Sequence, residues 1–191
     1  ALVRLLERRG VDTVFGIPGV HTLDLYRGLA GSSIRHILVR HEQGAGFMAD
    51  GYARVSGRPG ICFVITGPGV TNIATAMGQA YSESVPMLVI STVRSTADLN
   101  IRQGRLHEIK DQLSVTAPLC AFAATAMSPD ELPELIDRAF AVFEGARPRP
   151  VHIEIPLDVL AMAVDGDWQP AAPVSPPRLD PAQLPEPDPP G

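Results

Sequence analysis

An acidic side chain and a glycine-rich turn each follow a short apolar run in this sequence. Glu42 comes soon after the run at residues 37–39, and the turn TGPG at residues 66–69 directly follows the run at 61–65. A carboxyl group held in an apolar crevice can share a proton with a ligand nitrogen, and a turn without side chains lets a flat ring or a phosphate approach the backbone. Each feature also has a purely structural explanation, because an acid is favoured in the first turn of a helix and GPG can be a simple tight turn.

The TGPG turn does not match the common nucleotide-binding loops. A Walker loop requires GK followed by Ser or Thr, which is absent here, and Pro68 and Thr71 break the dinucleotide pattern GxGxxG. This argues against a flavodoxin-like or dinucleotide-binding domain.

Two histidines, His41 and His107, lie nearest to predicted strand ends. His107 falls in the polar segment 93–116, which is long for a connection, and long loops in compact domains are often functional. Either histidine can equally be a surface or capping residue. Because no HxH or HxxxH spacing occurs, we predict no metal site in this chain.

The segments around these residues alternate between apolar β-branched runs and helical patterns. This order is typical of a parallel α/β sheet, and it predicts a six-stranded, mainly parallel sheet with helices on both faces. In such sheets ligands bind beyond the carboxyl ends of the strands, so Glu42 and the TGPG turn should face one crevice. The predicted strands are residues 11–15, 34–39, 61–65, 87–91, 120–126 and 151–155.

Helices are predicted between these strands, and one of them has a recognisable start. Ser128 is a candidate N-cap, with Pro129 at the first helical position and Glu131 completing a capping box. The other predicted helices are residues 1–9, 22–29, 42–55 and 70–82.

Composition limits the partners and the compartment. The 191 residues carry a net charge of -5 without a basic stripe, which argues against nucleic acid. No apolar run approaches the ~18 residues of a membrane span. Cys62 and Cys120 lie in apolar runs without a metal-binding spacing, so we expect buried, reduced thiols and a cytoplasmic location. Nine of the 27 residues at 165–191 are proline, so we expect a domain at 1–164 and then an extended linker toward a further domain.

Four motifs together resemble a known family. They are FGIPG at 15–19, RHEQGAGFMADGYAR at 40–54, TGPGVTN at 66–72 and RPRPVHIEIPLDV at 147–159. In this order and spacing they resemble the N-terminal pyrimidine-binding domain of thiamine diphosphate enzymes of the acetolactate synthase and 2-oxo-acid decarboxylase type. The resemblance covers roughly residues 1–160.

The resemblance implies roles for individual residues. The glutamate matching Glu42 hydrogen-bonds the aminopyrimidine ring and favours the imino tautomer, which activates the thiazolium carbon. A backbone carbonyl near Gly19 and Val20 would accept a hydrogen bond from the 4′-amino group. His107 and Glu42 are the expected catalytic residues. The expected cofactor-binding residues are Pro18, Gly19, Val20, Glu42, Thr66, Gly67, Pro68 and Asn72.

One segment departs from the acetolactate synthase pattern. Where those synthases resemble one another in an AFQE-like segment, this chain reads RLHE at 105–108, with His107 in place of the glutamine. The resemblance therefore implies an acetolactate synthase-like enzyme acting on 2-oxo acids, or a 2-oxo-acid decarboxylase for a larger or charged oxo acid. A non-catalytic α/β module derived from such an enzyme is the rival expectation.

The resemblance also implies that part of the site lies elsewhere. The family binds the diphosphate through Mg²⁺ at a GDG…NN motif in a C-terminal domain, and the DGD at 165–167 is not that motif. We therefore expect a homodimer or homotetramer in which a partner subunit supplies the Mg²⁺ and diphosphate half.

Overall fold

Six parallel strands form a single sheet at the centre of the protein. The computed structural model describes residues 1–99, 101–145, 147–164, 166 and 168. The strands lie in the order β2-β1-β3-β4-β6-β5, and every neighbouring pair is parallel. The predicted α/β class with a six-stranded parallel sheet is therefore confirmed. The strands are β1 Thr13–Gly16, β2 Arg35–Leu38, β3 Gly60–Val64, β4 Met87–Val93, β5 Phe122–Thr125 and β6 Val151–Pro156.

Helices cover both faces of this sheet, as predicted. One core contains side chains from α1, α2 and α6, and a second core contains side chains from α3 and α4. The α-helices are α1 Leu2–Arg8, α2 Leu23–Leu29, α3 Glu42–Ser56, α4 Pro68–Glu83, α5 Gln112–Thr116, α6 Glu131–Glu144 and α7 Leu157–Leu160, with short 3₁₀ turns at Thr96–Asp98 and Ala117–Leu119.

The central strand β3 shows why the sheet needs helices on both sides. Its side chains alternate between the two cores: Ile61 and Phe63 lie in one, and Cys62 and Val64 lie in the other. All five residues of β3 are buried, which is typical of a parallel strand covered on both faces. Cys62 and Cys120 are both buried and free, as the sequence predicts.

The strand order creates a ligand-binding position between β1 and β3. From β1 the chain goes to β2 on one side, and it then returns to β3 on the other side of β1. At such a switch point the loops beyond the carboxyl ends of the two strands diverge and leave a crevice. The loop after β1 and the TGPG turn after β3 border this crevice.

One local prediction is wrong. The capping box at Ser128 does not form, because α6 begins at Glu131 after Asp130, and the Glu131 carboxylate accepts instead from the backbone N–H of Met127 at 2.9 Å. The polar segment 93–116 ends in the short helix α5. The predicted proline-rich linker at 165–191 lies outside the described residues, except for Gly166 and Trp168.

A buried histidine makes stability depend on pH. His152 of β6 is fully buried between the hydroxyl oxygens of Ser91 and Thr116, each 2.7 Å from a ring nitrogen, and burial lowers its pKa to about 3. The folded state binds the proton more weakly than the unfolded state, in which the pKa is near 6.5. The stability that the neutral ring provides is complete above pH 6.5 and decreases by about 1.4 kcal/mol per unit as pH falls toward 3.

We therefore expect the free energy of unfolding to be about 2 kcal/mol lower at pH 5 than at pH 7 from this residue alone. Urea titrations of the 191-residue chain and of His152→Asn at both pH values measure the effect. The variant should be less stable at pH 7, but its free energy of unfolding should no longer show the part of the pH dependence that comes from His152. An identical slope in both proteins would refute this role for His152.

Candidate functional site

Glu42 and Asn72 contact each other where α3 and α4 approach. Glu42 is the first residue of α3 and is only 8% exposed, and Asn72 in the first turns of α4 donates its side-chain N–H to Glu42 Oε2 at 2.9 Å. The position of Glu42 in a helix first turn is as predicted, but its depth and its contact with Asn72 are not visible in the sequence. His41 caps the start of α3, because its Nδ1 accepts a hydrogen bond from the backbone N–H of Gln43 at 3.1 Å. In this structure the role of His41 is therefore structural.

Close packing of α3 against α4 brings this pair together. A Cβ at Gly46 would overlap the Cβ of Ala76 and lie 3.0 Å from Ile73 Cγ1. Only glycine at Gly46 allows the two helices to approach this closely. The small residues of α3 therefore determine the distance between Glu42 and Asn72.

Beside Glu42, Ile65 packs against two glycines. A Cβ at Gly19 would lie 2.6 Å from Ile65 Cδ1, and a Cβ at Gly69 would lie 2.9 Å from Ile65 Cγ2 and 3.5 Å from Glu42 Oε1. Both positions therefore require glycine, because Ile65 packs directly against the backbone there.

Gly67 joins the turn after β3 to the segment that carries His107. Its φ is +66°, in the left-handed region, and a Cβ there would overlap the backbone carbonyl oxygen of His107. The Gly67 N–H donates to Gln112 Oε1 at 2.8 Å. The turn is therefore held by a side chain from α5 and a carbonyl from the preceding loop.

Gln112 is a residue that the sequence analysis missed. It is buried, and its Nε2 donates to Ser91 Oγ, to the backbone oxygen of Thr92 and to Glu154 Oε2, at 2.9 to 3.1 Å. Burial raises the pKa of Glu154, although hydrogen bonds from Thr125 and Gln112 act in the opposite direction. A glutamine in a polar loop carries no pattern that distinguishes it, so only the tertiary structure reveals this role.

His21 is a second missed residue, and it contacts His107. The two rings meet edge to face with centroids 5.6 Å apart, and His21 is buried. Burial lowers the pKa of His21, and the positive charges of Arg94 and His107 lower it further. The position of His21, shortly after the FGIPG motif at the end of β1, was a signal in the sequence that could have identified it.

The other predicted residues follow the carboxyl ends of β1 and β3. Thr66 is buried and its hydroxyl lies 3.0 Å from that of Thr92, and Pro68 is the first residue of α4. Pro18 and Val20 are exposed in the loop after β1. The carbonyl of Gly19 accepts both the backbone N–H and the hydroxyl of Thr22, at 2.8 and 3.1 Å.

A cavity of about 170 Å³ extends from Thr66 toward β5 and β6. Its charged lining residues are Arg94, Asp98, Glu108, Lys110, Asp111 and Glu154. Among the described residues, no group of three or more His, Cys, Asp or Glu side chains could hold a metal ion. Within the same part of the chain, no helix is long and apolar enough to cross a membrane.

Comparison with known proteins identifies a family and several relatives. Residues 1–115 match the family described as thiamine pyrophosphate enzyme, N-terminal TPP binding domain. The chain is 71% identical over 171 residues to a probable 2-ketoarginine decarboxylase of Pseudomonas aeruginosa, covering 90% of this chain and 31% of that protein. It is 39% identical to the acetolactate synthase large subunit of Corynebacterium glutamicum and 39% identical to the acetolactate synthase isozyme 1 large subunit of Escherichia coli. Each match covers 89% of this chain, and they cover 27% and 30% of the two relatives.

The chain thus spans less than a third of the length of these relatives. The family match covers more than half of the chain, and it includes Glu42, the TGPG turn, Asn72 and His107. The expected family resemblance is confirmed. This chain belongs to the thiamine pyrophosphate enzymes, and it contains their N-terminal TPP-binding domain.

Proposed function

We propose that this chain supplies the pyrimidine-binding half of the cofactor site in a longer thiamine diphosphate-dependent, acetolactate synthase-like enzyme that decarboxylates 2-oxo acids, with or without carboligation. The observation that carries this proposal is the buried Glu42–Asn72 pair, which lies next to Gly69 of the TGPG turn. In this proposal, residues 1–164 form the cofactor-binding domain, and residues 165–191 lead to the next domain.

The geometry suggests what each residue does toward the cofactor. Thiamine diphosphate supplies the electron sink for cleavage of the bond to the carboxylate. Because Asn72 occupies Glu42 Oε2, Oε1 is the carboxyl oxygen that remains to share a proton with the pyrimidine ring. The Gly19 carbonyl already accepts two hydrogen bonds from Thr22. We therefore propose that the Val20 carbonyl accepts the hydrogen bond from the 4′-amino group of the cofactor.

The remaining half of the site is proposed to come from a second copy of the enzyme. Phe47 and Met48 are large apolar side chains of α3 that are 43% and 50% exposed, in the half of the helix that begins at Glu42. Exposed apolar side chains on a site-bearing helix are typical of a surface that a partner covers. We propose a homodimer or homotetramer in the cytoplasm, with Mg²⁺ and the diphosphate held by the partner's C-terminal domain.

The substrate we propose is a 2-oxo acid with a basic tail. The 71% identical relative is named a probable 2-ketoarginine decarboxylase, and the RLHE segment departs from the synthase pattern. Glu108, Asp111 and Glu154 line the cavity beside the His107 segment. Each already accepts hydrogen bonds within the protein, but a carboxylate has about four acceptor positions and can still accept from a guanidinium group. Acetolactate synthesis is the second candidate function, supported by the 39% identical relatives.

The test uses the full-length protein that contains this chain. Calorimetry should detect binding of thiamine diphosphate with Mg²⁺, and release of CO₂ should be faster from 2-ketoarginine than from pyruvate. Faster turnover of pyruvate to acetolactate would favour the second candidate. Absence of cofactor binding would favour a non-catalytic module.

We expect His107→Gln to change substrate preference more than cofactor activation. His107 lies in the loop that faces the crevice, and it contacts His21 rather than Glu42. In the full-length enzyme the ratio of kcat/KM for 2-ketoarginine and pyruvate should shift by about tenfold, which corresponds to one hydrogen bond. Exchange of the thiazolium proton should remain within threefold of wild type. A loss of exchange as large as in a Glu42 variant would contradict this role.

A further inference from the structure

Three buried nitrogen atoms at the crevice have no hydrogen-bond partner within the described residues. They are Nδ1 of His21, Nδ1 of His107 and Nε of Arg94. Buried polar atoms are nearly always hydrogen-bonded, so each one requires an explanation. Three of them in one region indicate a missing ligand rather than three separate defects.

These residues come from three neighbouring parts of the sheet edge. His21 follows β1, the carbonyl of His107 packs against Gly67 after β3, and Arg94 is the first residue after β4. The strands β1, β3 and β4 are consecutive in the sheet, and adjacent strands lie about 4.8 Å apart. The ring contact of 5.6 Å joins the two histidines, and the charge of Arg94 acts on His21.

The chemistry of these atoms specifies the kind of ligand. The Nε–H of Arg94 can only donate, and each imidazole can donate from Nδ1 in one tautomer. A carboxylate has two oxygens that accept up to about four hydrogen bonds. Because the Nε–H of Arg94 cannot accept, a ligand there must present an acceptor, and a carboxylate can accept from all three nitrogens.

Two guanidinium groups lie near these unpartnered nitrogens. Arg94 and Arg105 both form ion pairs with Asp98. The Nη2 atom of Arg94 lies 3.4 Å from Oδ2, and that of Arg105 lies 3.0 Å from Oδ1, so two guanidinium groups face one carboxylate. The acids nearby already have donors: Glu108 accepts the backbone N–H groups of Gln103 and Arg105, and Glu154 accepts from Thr125 and Gln112. The Nε–H of Arg94 and the Nδ1 atoms of His21 and His107 are thus buried nitrogens that no acid within the described residues occupies.

We propose that His21, His107 and Arg94 form a subsite for the carboxylate of the 2-oxo acid. This inference rests on the proposed function, and it defines which end of the substrate lies at the histidine pair. The carboxylate is the group that leaves as CO₂, so the subsite holds the substrate before reaction and does not assist the bond cleavage itself. Removing it should raise KM while leaving kcat unchanged or higher.

The test compares Arg94→Met with Arg105→Met in the full-length enzyme loaded with thiamine diphosphate and Mg²⁺. The two variants remove the same charge beside Asp98, but only Arg94 has the unpartnered Nε. The probes are oxamate, an unreactive carboxylate analogue of a 2-oxo acid, and its neutral analogue oxamide. Calorimetric titration should show oxamate binding weakened about 10- to 100-fold by Arg94→Met and less than threefold by Arg105→Met, with oxamide binding equal in all proteins.

A second variant, His21→Phe, removes one donor without changing a formal charge. It should weaken oxamate binding about 3- to 10-fold, so the proposal remains testable if Arg94→Met does not fold. Equal weakening by the two arginine variants, no effect of Arg94→Met, or failure of the wild type to prefer oxamate over oxamide would each overturn the subsite. Failure of thiamine diphosphate to bind the wild type would instead refute the proposed function.

Discussion

Replacing Glu42 by glutamine should slow exchange of the thiazolium carbon proton by about 10²- to 10⁴-fold in the full-length enzyme, the range typical of a lost general acid–base group. Glutamine keeps the size of the side chain and can still accept from Asn72, but it cannot give up or take a proton at Oε1. Proton–deuterium exchange of the bound cofactor, followed by NMR, measures the rate directly.

The burial of Glu42 makes this prediction sharper. An acid whose only role is to face the helix dipole contributes about 0.3–1 kcal/mol to stability and nothing to exchange. Glu42 is 8% exposed and aims one oxygen at Asn72, an arrangement that leaves the other oxygen beside Gly69. We therefore expect a large change in exchange and a change in stability below about 1 kcal/mol.

Asp50 provides the matched control on the same helix. It is also buried, but it pairs with Arg54 at 2.6 Å and lies about two helical turns along α3 from Glu42. Asp50→Asn should lower stability by about 1 kcal/mol or less and leave exchange unchanged. An exchange rate in Glu42→Gln within threefold of wild type, with cofactor bound, would leave Glu42 as a structural acid only.

Replacing Gly67 by alanine should lower the free energy of unfolding by about 3 kcal/mol. The new Cβ would meet the backbone carbonyl oxygen of His107, which cannot rotate away as a side chain can, and φ at this position is +66°. The turn must then shift, and with it the N–H that donates to Gln112. Urea denaturation of the 191-residue chain gives the change in stability.

Gly10→Ala separates the two causes of this loss. Gly10 has φ of +79° but nothing within 4 Å of an added Cβ, so alanine there meets only the left-handed conformation and should cost about 1 kcal/mol. The difference between the two variants measures the packing of the turn against the His107 segment. Equal losses in both would mean that the His107 carbonyl is free to move aside.

Much of the fold could be predicted because the residues of each element carry a local signal. The β-branched run that became β3 and the glycines that follow it indicate a parallel strand before any contact is known. The failed capping box at Ser128 shows the limit of such signals. A Glu131 side chain can accept from several nearby N–H groups, and in this fold it accepts from Met127.

The sequence by itself determined the α/β class, the positions of Glu42 and the TGPG turn after strands, and the family to which the chain belongs. These depend on residue types at short spacings, which are the same in any conformation. Only the tertiary structure decided that Asn72 donates to Glu42, that Gln112 holds Gly67, and that His21 contacts His107. Each of these contacts joins residues from different elements, and the distance between them depends on sheet order and helix packing, which no local pattern encodes.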